Sequence, residues 1–164
     1  MEIGDLNKVL PDVWFDWYVR FISGCLGIIG YSWLFEVSIE LDFITVITFG
    51  VLGYIIGHIS QPLSSCIVNK IFKNLKPRTD KFISKSYAET ISMFNSALIL
   101  SVLSIYYLLE KSLNMIGNSR FLTLLALILF LIIETYIKAK TTENKIKEIQ
   151  DQEKQADTTD KENP

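Results

Sequence analysis

FITVITFGVLGYIIGHISQPLSSCIV, residues 43–68, decides the architecture of this chain, because no Asp, Glu, Lys or Arg interrupts it. As an α-helix a run of this length reaches about 39 Å, enough to cross a hydrocarbon core of about 30 Å. Three further apolar runs accompany it, Phe15–Phe35, Ala88–Leu109 and Phe121–Ile137, with charged segments between them. Each is near the roughly 20 residues that a membrane-spanning helix needs. The expected fold is therefore an all-α membrane protein, with four transmembrane helices in residues 1–140 and a charged tail in residues 141–164. The chain has 164 residues, 49% of them hydrophobic, and a mean hydropathy of +0.30. A soluble domain of this size would spread its apolar residues over amphipathic elements. Here they are gathered into blocks that leave no room for a separate soluble domain of ordinary size.

Charge placement gives an expected orientation. Lys70, Lys73, Lys76, Arg78, Lys81 and Lys85 lie between the second and third runs, opposed only by Asp80, and Lys138, Lys140, Lys145 and Lys147 follow the fourth. The first connection carries Glu36, Glu40 and Asp42 and no basic residue, and the last has only Lys111 and Arg120 beside Glu110. Short basic loops stay in the cytoplasm, so both termini and the middle loop are expected inside. Trp14, Trp17, Tyr18 and Tyr136 then fall at inner helix ends, and Trp33, Tyr106 and Tyr107 at outer ones, the headgroup level that aromatic rings favour. Pro11 suits a helix start, where its missing N–H costs nothing.

The cysteines do not form a natural pair: Cys25 falls inside the first run and Cys66 at the far end of the second. Ile22-Ser23-Gly24-Cys25 fits the short pattern of lipoprotein processing, but a signal segment needs a basic n-region before its apolar core. Glu2, Asp5, Asp12 and Asp16 precede it instead, and Arg20 interrupts the apolar stretch, so the first run reads as a retained helix.

The middle loop, Asn69–Tyr87, alternates Ile71, Phe72, Leu75, Phe82 and Ile83 with its basic residues, which predicts amphipathic helix on the inner leaflet, broken at Pro77. Its charges satisfy the orientation rule and are also suited to anionic lipid or an acidic ligand. In the tail only Ile146 and Ile149 are apolar up to residue 150, too few for a sustained coiled coil. The fourth helix is expected to continue for a few turns and then fray, with Asp157–Pro164 disordered.

Small residues predict close packing. Ser23, Gly27 and Gly30 lie on the first helix and Gly50, Gly53 and Gly57 on the second, with Gly53 and Gly57 at GxxxG spacing. The fourth helix, apolar all round from Leu124 to Ile133 apart from size differences, is expected at the periphery facing lipid. Polar residues within spans are expensive and therefore informative. Asp16 and Arg20 have i,i+4 spacing for an ion pair, and Glu134 stands one turn from Lys138. His58, Ser60, Gln61, Pro62, Ser64 and Ser65 form a polar end to the second helix. Pro62 removes the amide that would bond the His58 carbonyl. Ser92, Asn95 and Ser96 lie at a similar depth on the third helix, with Glu89 nearer the cytoplasm.

No HExxH, nucleophile elbow, phosphate-cradling glycine loop or zinc-ligand spacing occurs, so neither an enzyme, a metal site nor a cofactor is expected, and no direct nucleic-acid binding. His58 is the lone histidine. A secondary transporter would show internal repeats and more spans. The remaining classes are an oligomeric pore and a non-conducting scaffold that recruits a cytoplasmic partner through the basic loop and tail. A pore places its gate at Gly53, Gly57, His58, Gln61, Pro62 and Asn95. It has an acidic outer mouth of Glu36, Glu40 and Asp42 that concentrates cations. Its partner or anionic-lipid contacts are Lys70, Lys73, Lys76 and Arg78.

The run Pro11-Asp12-Val13-Trp14-Phe15-Asp16-Trp17-Tyr18-Val19-Arg20-Phe21-Ile22-Ser23-Gly24 resembles the start of small four-helix bacterial membrane proteins. Some of those are similar to effectors of anti-phage defence operons. The chain departs from that pattern at Ser23, where a proline often precedes the glycine. The resemblance implies a membrane component that depolarises or permeabilises the cell when a partner protein senses infection. With the pore reading, whose conduction needs more than one four-helix protomer, the expectation is a homo-oligomer in the bacterial inner membrane, triggered by a cytoplasmic regulatory protein or ligand.

Overall fold

The computed structural model describes residues 16–38, 40, 42–72, 75, 81–111 and 118–162, all helix or short connection. A π-helical segment, Asp16–Ile22, leads without a break into α1, Ser23–Phe35. Then come α2, Phe43–Ile71, α3, Lys81–Lys111, and α4, Ser119–Glu162. The four helices contain the four apolar runs, apart from Phe15. Pro11, Trp14, Lys73, Lys76 and Arg78 also lie outside the described residues, as do the side chains of Asp16, Trp17 and Tyr18.

Local chemistry sets the helix ends. Glu36 closes α1 in the left-handed conformation, with φ 59°, and its amide returns to Ser32 O. Asp42 caps α2, its carboxylate accepting from Thr45 N at 2.7 Å. Asn118 does the same for α4 through Arg120 N at 2.9 Å. Pro62 sits inside α2, which runs through it unbroken.

Helix α3 is central and touches the other three. α4 runs along one side of it, while α1 and the π-helical segment hold α2 on the other. Past the end of α2, the Phe72 ring comes 6.0 Å from that of Tyr136 on α4. Two apolar clusters result. One, at the end of the bundle where α2 finishes, joins Val19, Val68, Phe72, Leu75, Ile91 and Ala139, and the other, at the end where α1 finishes, joins Leu34, Leu100, Tyr107, Phe121, Leu124 and Ile128.

Three helical stretches are long and apolar enough to cross a membrane, Phe43–Ile71, Lys85–Lys111 and Ser119–Ile149, while apolar Val19–Phe35 is shorter. Their outward surfaces are apolar to a degree that water does not tolerate in contiguous patches. Phe43, Ile44 and Ile59 of α2 are 79%, 72% and 73% exposed, and Leu109 of α3 is 80% exposed. The fold is that of a membrane protein. α4 exposes Leu129, Phe130, Ile132 and Ile133, in keeping with a peripheral place. α2 is just as uncovered: its buried residues are Gly53, Gly57, Ser64 and Val68, one narrow strip.

One expectation needs revision in part. Of the apolar residues expected on an amphipathic face of the middle loop, Phe72, Leu75 and Ile83 are buried and Ile71 is 60% exposed, while the side chain of Phe82 lies outside the described residues. Packing into the end of the bundle removes the buried three from water more completely than lying on its surface would. The charged tail continues α4 as helix, as expected, through Glu162. Its first turns stay docked, with Thr142 hydrogen-bonded to Ser86 and Ile146 fully buried.

Candidate functional site

The strip by which α2 is held is made of small residues. A Cβ on Gly57 would overlap the Arg20 carbonyl, and one on Gly24 the Gly53 carbonyl, so α1 and α2 meet backbone to backbone. On Gly53 a Cβ would lie 2.7 Å from Cys25 Sγ. Such proximity lets one side chain of α3 reach both helices. Asn95, fully buried, donates through Nδ2 to Val19 O at 3.0 Å and to Gly57 O at 3.3 Å. Its Oδ1 accepts from Ser64 Oγ at 2.7 Å. Beside it Ser23 Oγ donates to Ser92 O at 3.0 Å, and Ser96 Oγ to the same carbonyl at 2.9 Å. Val19 belongs to the π-helical segment, so the Asn95 amide ties that segment to α2 as well as to α3. Between the two apolar clusters there is thus a buried polar layer whose members satisfy one another. A water path through the centre of one protomer would have to break it.

The second polar feature runs along a flank of α2. Tyr54, His58, Gln61, Ser65 and Asn69 follow one another along α2 at spacings that keep them on one helix face. Tyr54, His58 and Asn69 are exposed and Gln61 and Ser65 half-buried. Local contacts order this ridge. The Tyr54 and His58 rings stack with centroids 6.1 Å apart, and Arg20 Nη1 donates to the Tyr54 hydroxyl at 3.1 Å. Gln61 Nε2 donates to Ser65 Oγ at 3.2 Å, and Tyr87 OH to Asn69 Oδ1 at 3.3 Å. Pro62 is exposed on the adjoining side. In the turn before it, Ser60 Oγ donates to Ile56 O at 2.9 Å and to Gly57 O at 3.2 Å. Ser60 thus bonds the carbonyls of Ile56 and Gly57, the latter preceding His58, whose own amide partner Pro62 removes.

The gate candidates therefore divide. Gly53, Gly57 and Asn95 belong to the buried contact between helices, whereas His58, Gln61 and Pro62 lie on or beside the uncovered face of α2. The acidic residues between α1 and α2 are not gathered into one cluster. Glu36 pairs with Arg120 at 2.6 Å, tying the end of α1 to the start of α4. Asp42 is engaged as a helix cap, and hydrogen bonds from the Thr45 hydroxyl and amide hold its carboxyl below the usual carboxylate range. Glu40 is exposed. Of the partner-binding candidates, Lys70 is exposed at the end of α2. Lys138 is paired with Glu89 of α3, which also has Lys85 at 3.9 Å, so the pairing expected within α4 with Glu134 is replaced by one between helices.

Sequence reasoning missed the role of Tyr54, although its i,i+4 spacing to His58 was a usable signal. It also missed the bond from Arg20, 34 residues away, for which no local signal exists. Cys25 and Cys66 are both free thiols. Among the described residues no three His, Cys, Asp or Glu side chains come together as a metal site. Compared with known protein families, curated proteins and solved structures, the chain matches none.

Proposed function

We propose that this protein is a multi-pass inner-membrane protein with both termini in the cytoplasm, which assembles with copies of itself into a pore lined by the ridge of α2. The observation that carries the proposal is the contrast between two sets of polar groups. Those inside the protomer are fully buried, whereas the row from Tyr54 to Asn69 runs half-buried to exposed along a flank of α2, tied to the rest of the fold at its ends by Arg20 and Tyr87. In lipid a row of amide, imidazole and hydroxyl groups is stabilised by water or by another protein surface. Copies arranged about an axis with these faces inward supply both. One protomer of four helices has too little cross-section to enclose water, so conduction belongs to the oligomer.

The trigger acts from the cytoplasm, on Lys70, Lys73, Lys76, Arg78 and the helical tail, through anionic lipid, an acidic ligand or a regulatory protein. A defence setting, in which opening collapses the membrane gradient of an infected cell, follows from the resemblance of residues 11–24. Current recordings from purified protein in planar bilayers test the reading. Gln61→Leu and His58→Leu are expected to change conductance while leaving membrane insertion intact. Unaltered currents in both would remove the ridge from the pore. Silence of the wild type under every trigger, with a cytoplasmic protein recovered on the tail, would instead assign the chain to the scaffolds.

A further inference from the structure

The face of α2 that carries the polar ridge changes character along its length. Continued outward at the same helical spacing, Tyr54 is followed by Val51, Ile47 and Phe43, which are 54%, 51% and 79% exposed. From Phe43 to Val51 is eight residues, about 12 Å of helix with no polar atom on this face. Resting on the pore reading above, we infer that these three residues form a hydrophobic collar that shuts the resting pore by excluding water, and that Gln61 and Pro62 line the path without closing it.

The physical argument has two parts. Water and ions enter a narrow apolar constriction only at a free-energy cost, so a ring of Phe, Ile and Val blocks conduction without side chains touching across the axis. A gate must also be able to move, and the outer half of α2 is the part least tied down. Inward of Gly53, α2 is clamped by Gly57 against Arg20 and by Ser64 and Gly57 against Asn95. Outward of it, the nearest atom to a Cβ built on Gly50 is Phe21 Cε2 at 3.5 Å, an ordinary contact. Behind the collar, between α1 and α2, is an open cavity of about 270 Å³ lined by Ile28, Tyr31, Thr45, Thr48 and Leu52. It gives the outer half of α2 space to tilt toward α1, which withdraws the collar from the axis while the inner clamp holds. Tyr54, bonded to Arg20, marks the boundary between the clamped and the free halves.

The test uses the full chain reconstituted in liposomes and planar bilayers of phosphatidylethanolamine and phosphatidylglycerol. Val51→Ser and Ile47→Ser are expected to raise unstimulated ion flux roughly tenfold, equivalent to about 1.4 kcal/mol off the barrier to wetting. Val51→Leu should remain as closed as the wild type, which controls for altered assembly. Thr48→Phe, which fills the cavity behind the collar, should suppress openings. Gln61→Leu in the Val51→Ser background reads the ridge separately, and a changed unitary conductance there supports the pore. If Val51→Ser and Ile47→Ser leak no more than the wild type while Gln61→Leu alters spontaneous wild-type openings, the collar is wrong and the pore stands. If no variant passes current, both fall.

Discussion

Asn95 is the side chain on which most of the interior depends, since it uses both amide protons and its oxygen on three separate partners. Leucine is close in volume but leaves Val19 O and Gly57 O without the donor and Ser64 Oγ without the acceptor. Asn95→Leu is expected to destabilise the protein by about 1–2 kcal/mol, the range for interhelical polar contacts in lipid, measured by unfolding in detergent. Ser64→Ala, which removes one bond of the three, should cost less. At the start of α2 Asp42 has a different role. Its carboxyl titrates lower in the folded protein than in the unfolded chain, so its contribution is complete above the unfolded pKa and is lost as the pH falls through the folded one. Asp42→Ala should lower the melting temperature at neutral pH and make that part of the acid dependence vanish. Asp42→Asn, an equally good cap, should keep the neutral-pH stability and also remove the acid dependence. A melting temperature that Asp42→Ala leaves unchanged would refute the cap's contribution.

For elements, the contact that decides the arrangement is α1 against α2. Gly57 and Gly24 are there because a methyl group would strike backbone atoms, which cannot rotate aside as a side-chain tip can. Gly57→Ala should therefore cost about 1–3 kcal/mol through overpacking, despite alanine's better helix propensity. Gly50→Ala is the control: its Cβ meets only ordinary contact with Phe21, so it should be neutral or stabilising by up to about 1 kcal/mol. Equal effects of the two would show that helix propensity, and not close approach, explains the glycines. GxxxG spacing made this contact legible in advance, because backbone approach requires small residues one turn apart. The ion pairs were not legible. Lys138 had Glu134 one turn away on its own helix, yet the packing of α4 along α3 brings Glu89 to it, and only the register between those helices selects one over the other.

At the scale of the whole molecule, α2 and α4 present broad apolar surfaces on opposite sides of a centre built from α1 and α3, so lipid or further protein must cover them. A reporter fused after Pro164 is expected to stay in the cytoplasm, since Lys138, Lys140, Lys145 and Lys147 follow the last span; periplasmic activity would reverse the proposed topology. Cross-linking of the purified protein through Cys66, exposed on the outward side of α2, should trap dimers if copies meet along that helix. Cys66→Ser abolishing the product would place the contact, and a monomer at all protein concentrations would remove the oligomer and with it the pore.

The apolar runs and the charges between them determined the number of helices, because a backbone in lipid must satisfy its own hydrogen bonds and helices do so locally. They also marked Asn95, His58 and Gln61 as costly, since a polar atom at that depth is costly whatever surrounds it. Tertiary structure decided which cost is met inside the protomer. Asn95 faces two carbonyls and a hydroxyl on neighbouring helices, while on α2 His58 is exposed and Gln61, beside that network, is half-buried. That outcome depends on the rotation of α2 about its axis, set by glycines meeting the backbone of a helix more than 25 residues away in sequence. No local pattern encodes such an angle.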